Sequence, residues 1–223
     1  MIAPRAPSRI RVAARFEGPP GAANGGYVAG LLAGRGPARV TIRRPVPVET
    51  DLDFDGATLR DAAGVALAEL SRLDEVDVGE IPPVSVDAAR VAAAATPLAA
   101  RHPFPNCFGC GPMNEHGLHC LAGPVNGEVW AVAWTPEDFA PELVWSALDC
   151  TSCGPVVEIE GEPAFVLGRI EAEIRADVVP GREHAVVAWK LADDGRRRQA
   201  ASALCAEDGT LVAAARATWF ALR

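Results

Sequence analysis

Apolar and polar residues alternate along much of the chain, and clusters of glycine and proline interrupt the alternation. Alternation at every second position is typical of a half-buried β-strand. In the first part of the chain the pattern predicts strands at 10–16, 38–48, 54–61 and 64–73. In the second part it predicts strands at 117–121, 128–134, 164–179, 184–191, 200–207 and 211–222.

Three segments change to helical spacing. The first runs from Tyr27 to about Ala33, directly after a glycine-rich loop, and the second is a short alanine-rich helix that begins near Ser85 or Asp87. The third begins at Pro141 and ends at Gly154-Pro155, because proline is favoured at the start of a helix and glycine at its end.

The order of these elements divides the chain into two units, residues 1–100 and 101–223. Each unit has one central helix followed by antiparallel strands, which is an α+β pattern in which a sheet wraps a helix. The repetition of this order indicates an internal duplication.

The composition is that of a globular protein, with 49% hydrophobic and 22% charged residues among 223. The net charge of −8 argues against nucleic acid as a partner. No signal peptide or membrane-spanning stretch is apparent, so we expect a cytoplasmic protein with no membrane association and with reduced cysteines. Arg43 and Arg44 form a local basic patch that could hold a phosphate; the alternative is a solvated strand edge.

Two motifs connect the chain to a known family. The sequence NGGY (24–27) stands at a predicted helix start, and CFGCGPMNEHGL (107–118) precedes the second unit. Together with the element order, they resemble the hotdog-fold acyl-CoA thioesterases, particularly PaaI-like members and those with two hotdog units in one chain. The resemblance implies that a helix N-terminus directs backbone N–H groups at the thioester carbonyl, while an acidic residue on the central helix acts as nucleophile or general base.

The resemblance divides this machinery between the two helices. Asn24, Gly25 and Gly26 match the loop that polarises the carbonyl, but the helix after them has no acidic residue. Asp149 matches the acidic position of the other helix, which opens with Ala140-Pro141-Glu142 instead of glycines. We therefore expect one composite site, in which Asp149 attacks the thioester or activates water, and an inactive second site. The alternatives are a capping turn at Asn24 and a structural core acid at Asp149.

Further residues are predicted around this site. Those expected to bind substrate are Tyr27, Trp145, Ser146, Arg43 and Arg44. Ser146, Thr151 and Ser152 could also orient the water, and Trp130, Trp134 and Trp145 could line an acyl pocket.

The cysteines raise the question of a metal. Cys107, Cys110, His116 and Cys120 nearly match the spacing of a zinc knuckle, and Cys150 and Cys153 form a second CxxC. The two CxxC motifs together could also form a four-cysteine site. Buried free cysteines also act as small hydrophobic residues. We expect this second role, and hence no cofactor and no structural zinc at Cys107 and Cys110.

The predicted function is hydrolysis of an acyl-CoA or a related thioester. The alternative is a hotdog protein that binds an acyl thioester or a lipid without turning it over. The sequence leaves open the acyl group, the choice between coenzyme A and a carrier protein, and assembly into a homo-oligomer.

Overall fold

The computed structural model describes residues 8–157 and 163–222 and confirms the α+β class. Its helices are α1 (Gly25–Ala33), α2 (Val86–Ala94) and α3 (Pro141–Cys153), with short 3₁₀ helices at Ala14–Phe16, Pro97–Arg101 and Gly154–Val156. Among the described residues, no helix is long and apolar enough to cross a membrane. The strands are β1 (Ser8–Ile10), β2 (Ala38–Ile42), β3 (Leu52–Phe54), β4 (Thr58–Arg60), β5 (Ala66–Arg72), β6 (Gly123–Pro124), β7 (Val129–Trp134), β8 (Phe165–Ile174), β9 (His184–Asp194), β10 (Arg197–Ala206) and β11 (Leu211–Ala221).

These strands form one continuous antiparallel sheet rather than two separate ones. Their order is β1-β3-β4-β5-β2-β8-β11-β10-β9-β7-β6. The two halves meet where β2 pairs with β8, and Ala38 lies opposite Ala172 in that pairing. Joining the halves in this way removes two sheet edges that would otherwise expose unpaired backbone groups.

The helices cover both faces of this sheet. α1 packs on β2, β5 and β8, and α3 packs on β8 to β11. Along β9, Val186 belongs to the main core on this face, whereas Ala185 and Val187 belong to a smaller cluster with Ala89 of α2. Successive side chains of a strand point to opposite faces, so α2 covers the other side of the sheet.

The position of α2 bears on the proposed division of the chain. Although α2 precedes residue 100, it packs on β6, β7 and β9 of the second unit. The boundary at residue 100 stays a prediction.

Several strand predictions differ from the structure. The strand predicted at 38–48 ends at Ile42, and the one predicted at 164–179 ends at Ile174. Residues 117–121 form a loop, because Leu118 and Cys120 donate backbone hydrogen bonds to the carbonyls of Phe108 and Gly109 instead of to a sheet strand. His119 there has a φ of 54°. In the predicted strand 10–16, pairing ends at Ile10 and a 3₁₀ turn follows.

The backbones of α1 and α3 approach each other closely in the core. A Cβ atom on Gly26 would lie 2.6 Å from Asp149 Cβ, and one on Gly30 would lie 2.4 Å from Glu142 Cα. α1 therefore runs antiparallel to α3, with its N-terminus beside Asp149. The two glycines, four residues apart on one helix face, make this contact possible because they have no side chain.

This packing predicts the effect of adding one methyl group. We expect Gly30→Ala to lower the free energy of unfolding by about 1–3 kcal/mol, because the backbone of α3 must move away. Gly127→Ala is the matched control, since a Cβ there meets nothing within 4 Å, and it should change stability by less than about 0.5 kcal/mol. Equilibrium denaturation of both variants measures the difference, and equal stabilities would contradict the packing argument.

Candidate active site

A cavity of about 310 Å³ lies where the N-terminus of α1 meets α3. Asn24 and Gly25 line it from one side, and Asp149, Cys150 and Cys153 line it from the other. The rest of the wall is mainly apolar and includes Ile42, Val46, Leu98, Phe104, Leu121, Phe165, Leu167 and Trp219. Residues from both halves of the chain thus share one cleft, as the composite-site hypothesis requires.

Asn24 fixes the start of α1. Its Oδ1 accepts a hydrogen bond from the Tyr27 N–H at 2.9 Å, which is the usual N-cap interaction. Its Nδ2 donates to the sulfur atoms of Cys150 at 3.4 Å and Cys107 at 3.7 Å. Asn24 is buried and holds three segments together, so its contacts are those of a capping and positioning residue.

Asp149 is almost completely buried, with 1% exposure. Its Oδ2 accepts a hydrogen bond from the Gly26 N–H at 2.8 Å. Its Oδ1 is buried and has no hydrogen-bond partner among the described residues. Asp149 is also one of the residues that line the cavity.

Burial changes the proton affinity of this carboxyl. Loss of hydration raises the pKa of Asp149 to about 8, the Gly26 N–H opposes this by stabilising the anion, and negative charge on Cys107 adds to the rise. The cost of burying the charge outweighs a single hydrogen bond. Asp149 therefore gains and loses its proton near neutral pH, as a general acid or base does.

The backbone N–H of Gly25 stands next to this carboxyl at the first position of α1. In the described part of the chain no acceptor pairs with it, whereas the neighbouring N–H groups of Gly26 and Tyr27 are bonded to Asp149 and Asn24. Gly25 lines the cavity. It offers a hydrogen-bond donor at the positive end of a helix, where a developing negative charge is stabilised.

Three predicted substrate-binding residues do not line the cavity. Tyr27 is buried against Phe16, with 3.9 Å between the ring centroids. Trp145 is buried and donates its indole N–H to the Gly34 carbonyl at 3.0 Å. Ser146 donates to the Glu142 carbonyl at 2.7 Å. The polar groups of Trp145 and Ser146 are bonded inside the protein and the Tyr27 ring packs on Phe16, so this geometry lends no support to contact with substrate.

The other hydroxyl-bearing and tryptophan residues that were predicted around the site do not line the cavity either. Ser152 donates to the Asp149 carbonyl at 2.7 Å and accepts from the Trp219 indole at 3.1 Å, which makes it an internal link. Thr151, Trp130 and Trp134 are buried outside the cavity wall. Trp219, which the sequence did not single out, lines the cavity instead.

Arg43 and Arg44 both line the cavity and are exposed. Arg43 forms an ion pair with Glu69 at 2.7 Å. No ion pair involves Arg44 within residues 8–157 and 163–222, so its guanidinium is the freer of the two.

The loop with Cys107 and Cys110 was missed as part of the site. The sequence was interpreted as a turn leading into a strand, but both cysteines line the cavity and Cys107 Sγ lies 3.8 Å from Cys150 Sγ. The signal was present in the two CxxC spacings, and only the fold shows that they face each other.

The raised pKa of Asp149 predicts a pH dependence of stability. Between about pH 4 and pH 8 the unfolded chain loses this proton while the folded protein keeps it, so a rise in pH across this window favours unfolding. We expect the free energy of unfolding of the wild type to fall relative to that of Asp149→Asn by a few kcal/mol from pH 5 to pH 8. Denaturation of both proteins at several pH values measures this. Parallel curves would contradict a buried, protonated Asp149.

Comparison with known proteins supports the architecture. The sequence matches neither a protein-family model nor a curated protein. Among solved structures, the tesB protein of Mycobacterium avium subsp. paratuberculosis is similar over 100% of this chain and 95% of its own, with 13% identity and a TM-score of 0.65. A putative thioesterase II from Thermobifida fusca YX is similar over 98% and 93%, with 14% identity and a TM-score of 0.62. A protein of unknown function with a hotdog fold from Alicyclobacillus acidocaldarius is similar over 98% and 94%, with 13% identity and a TM-score of 0.59. The chain therefore has the hotdog fold that its sequence resembles.

Proposed function

We propose that this protein hydrolyses a thioester in the cavity between α1 and α3. One observation carries the proposal: Asp149, whose Oδ1 has no partner among the described residues, and Gly25, whose N–H has none there either, line the same mainly apolar cavity. A base and an oxyanion donor on one cleft are the two groups that acyl transfer to water requires. The fold is shared with a protein named a putative thioesterase II, which supports this assignment.

In the proposed reaction Asp149 acts as a general base. The Gly26 N–H holds Oδ2, and Oδ1 takes a proton from a water molecule as its oxygen attacks the thioester carbonyl carbon. The tetrahedral intermediate then expels the thiolate, which receives the proton from Asp149. The products are a carboxylic acid and a thiol, and Asp149 returns to its starting state.

The helix start supplies the electrostatic stabilisation. The carbonyl oxygen gains negative charge during attack, and the Gly25 N–H is positioned to donate to it. Gly26 has a different role from the one predicted, because its N–H is already bonded to Asp149. We therefore assign Gly26 and Asn24 as positioning residues and Gly25 as the oxyanion donor.

The walls of the cavity indicate the substrate class. An apolar space of about 310 Å³ suits a small or medium acyl group. Arg44 stands on the same cavity, where it can pair with a phosphate of the thiol portion. We propose an acyl-CoA as substrate on these grounds.

Removing the base is the first test. We expect Asp149→Asn to lower kcat for acyl-CoA hydrolysis by about 10²–10⁴-fold, the usual contribution of a general base. Asp74→Asn makes the same chemical change at an exposed position and should retain full activity. Release of free thiol from a panel of acyl-CoAs gives the rates, and an Asp149→Asn variant with full activity would rule out the mechanism.

The pH profile gives a second, independent test of the same residue. Because Asp149 must be ionised to accept a proton, kcat/KM should rise with pH and level off above about 8, the pKa of the buried carboxyl. A rate that is constant from pH 6 to pH 9 would contradict the assignment. Tight binding of acyl-CoA by the wild type without thiol release would instead favour the non-catalytic binding protein.

Arg44 tests the identity of the thiol. We expect Arg44→Ala to raise KM for an acyl-CoA about tenfold and to leave kcat unchanged, since the lost contact lies away from the reacting carbonyl. With a truncated thioester that lacks the nucleotide, the variant and the wild type should be alike. An equal effect on both substrates would argue against a phosphate contact at Arg44.

A further inference from the structure

Three cysteine sulfurs converge at the wall of the cavity. The Sγ atoms of Cys107, Cys110 and Cys150 all lie within 4.8 Å of one another. The first two come from the loop after α2, and the third comes from α3. The Cys107 and Cys150 sulfurs are 3.8 Å apart. This is the edge of a tetrahedron, about 3.8 Å, that metal–sulfur bonds of about 2.3 Å would produce.

The loop backbone is shaped to bring these sulfurs together. A Cβ on Gly109 would lie 2.1 Å from Cys150 Sγ, and one on Gly111 would lie 2.4 Å from the Cys107 nitrogen. The Gly111 N–H also donates to the Cys107 carbonyl at 2.7 Å, which closes a tight turn. Glycine at both positions lets the CxxC turn press directly on α3.

The Asn24 amide packs against two of these sulfurs. It is oriented by its N-cap bond to Tyr27, so its NH₂ group points at Cys107 and Cys150. The start of α1 therefore helps to fix the positions of both sulfurs.

From this geometry we infer that Cys107, Cys110 and Cys150 bind a soft cation, with Zn²⁺ as the preferred ion. Thiolate ligands select zinc over magnesium or calcium, and all three cysteines line the cavity. This reverses the expectation of no metal. The zinc-knuckle set does not form, because His116 is exposed and lies outside the cluster. The cluster contains three of the four residues of the four-cysteine alternative and leaves out Cys153.

The ion would connect the loop to α3 beside Asn24 and Asp149. It would therefore hold one wall of the cavity in place. The inference rests on the sulfur geometry alone and does not depend on thioester hydrolysis.

Metal content tests the inference directly. Protein purified under reducing conditions without chelators, and then supplied with Zn²⁺ and freed of excess ion, should contain one zinc per chain. Replacement by Co²⁺ should give a thiolate-to-cobalt charge-transfer band. Cys107→Ser, Cys110→Ser and Cys150→Ser should each weaken zinc binding at least about tenfold. Cys120→Ser and Cys205→Ser are matched controls, because neither cysteine belongs to the cluster, and they should retain one zinc.

Thermal melting provides a readout that is independent of activity. Zn²⁺ should raise the Tm of the wild type and of Cys120→Ser, because a ligand that binds the folded state stabilises it, and should leave the Tm of Cys150→Ser unchanged. If a serine variant fails to fold, the thiolate-to-cobalt charge-transfer band of the wild type still tests whether the cysteines bind a metal. A wild type without bound zinc and without the cobalt band, or one in which Cys107 and Cys150 have lost two hydrogen atoms to form a disulfide, would overturn the inference.

Discussion

The close contact between α1 and α3 is the constraint on which the rest of this structure depends. Gly26 and Gly30 bring the two helix backbones together without intervening side chains. The first of these glycines places a backbone N–H within 2.8 Å of the Asp149 carboxylate. A larger residue at Gly26 would push the helices apart and break this hydrogen bond at once, so packing and site geometry cannot be varied separately.

The same contact places the Asp149 carboxyl in an environment that disfavours its charged form. Asp149 is removed from water by the helix pair and receives one hydrogen bond in return, which raises its pKa to about 8. An unpaired buried carboxylate costs stability at high pH. This destabilising residue, Asp149, lines the cavity. Such a destabilising group is typical of functional sites.

The sequence predicted the elements well because their patterns are local. α3 begins at Pro141 and ends before Gly154, as proline and glycine indicated, and the long strands follow the alternation of apolar residues. The placement of Asn24, Gly25 and Asp149 on one cleft was also predicted, through the family resemblance. The β2–β8 pairing could not be predicted, since it joins residues more than a hundred positions apart. The burial of Trp145 and Tyr27 away from the cavity could not be predicted either. Periodicity indicates which face of a helix is apolar, but it does not indicate which element packs on that face.

The asymmetry between the two helix starts follows from packing. Counted from the N-caps Asn24 and Ala140, the position of Asp149 on α3 corresponds to Ala33 on α1. Ala33 is buried, and its carbonyl accepts a hydrogen bond from Arg72. At the other end, Pro141 has no N–H to offer and the adjacent backbone of Glu142 fits against Gly30. A base and an oxyanion donor are therefore both missing from the second position, and the close contact at Gly30 leaves less room there for a substrate. One helix start has become a tight packing surface, and the other keeps an open donor beside a buried acid.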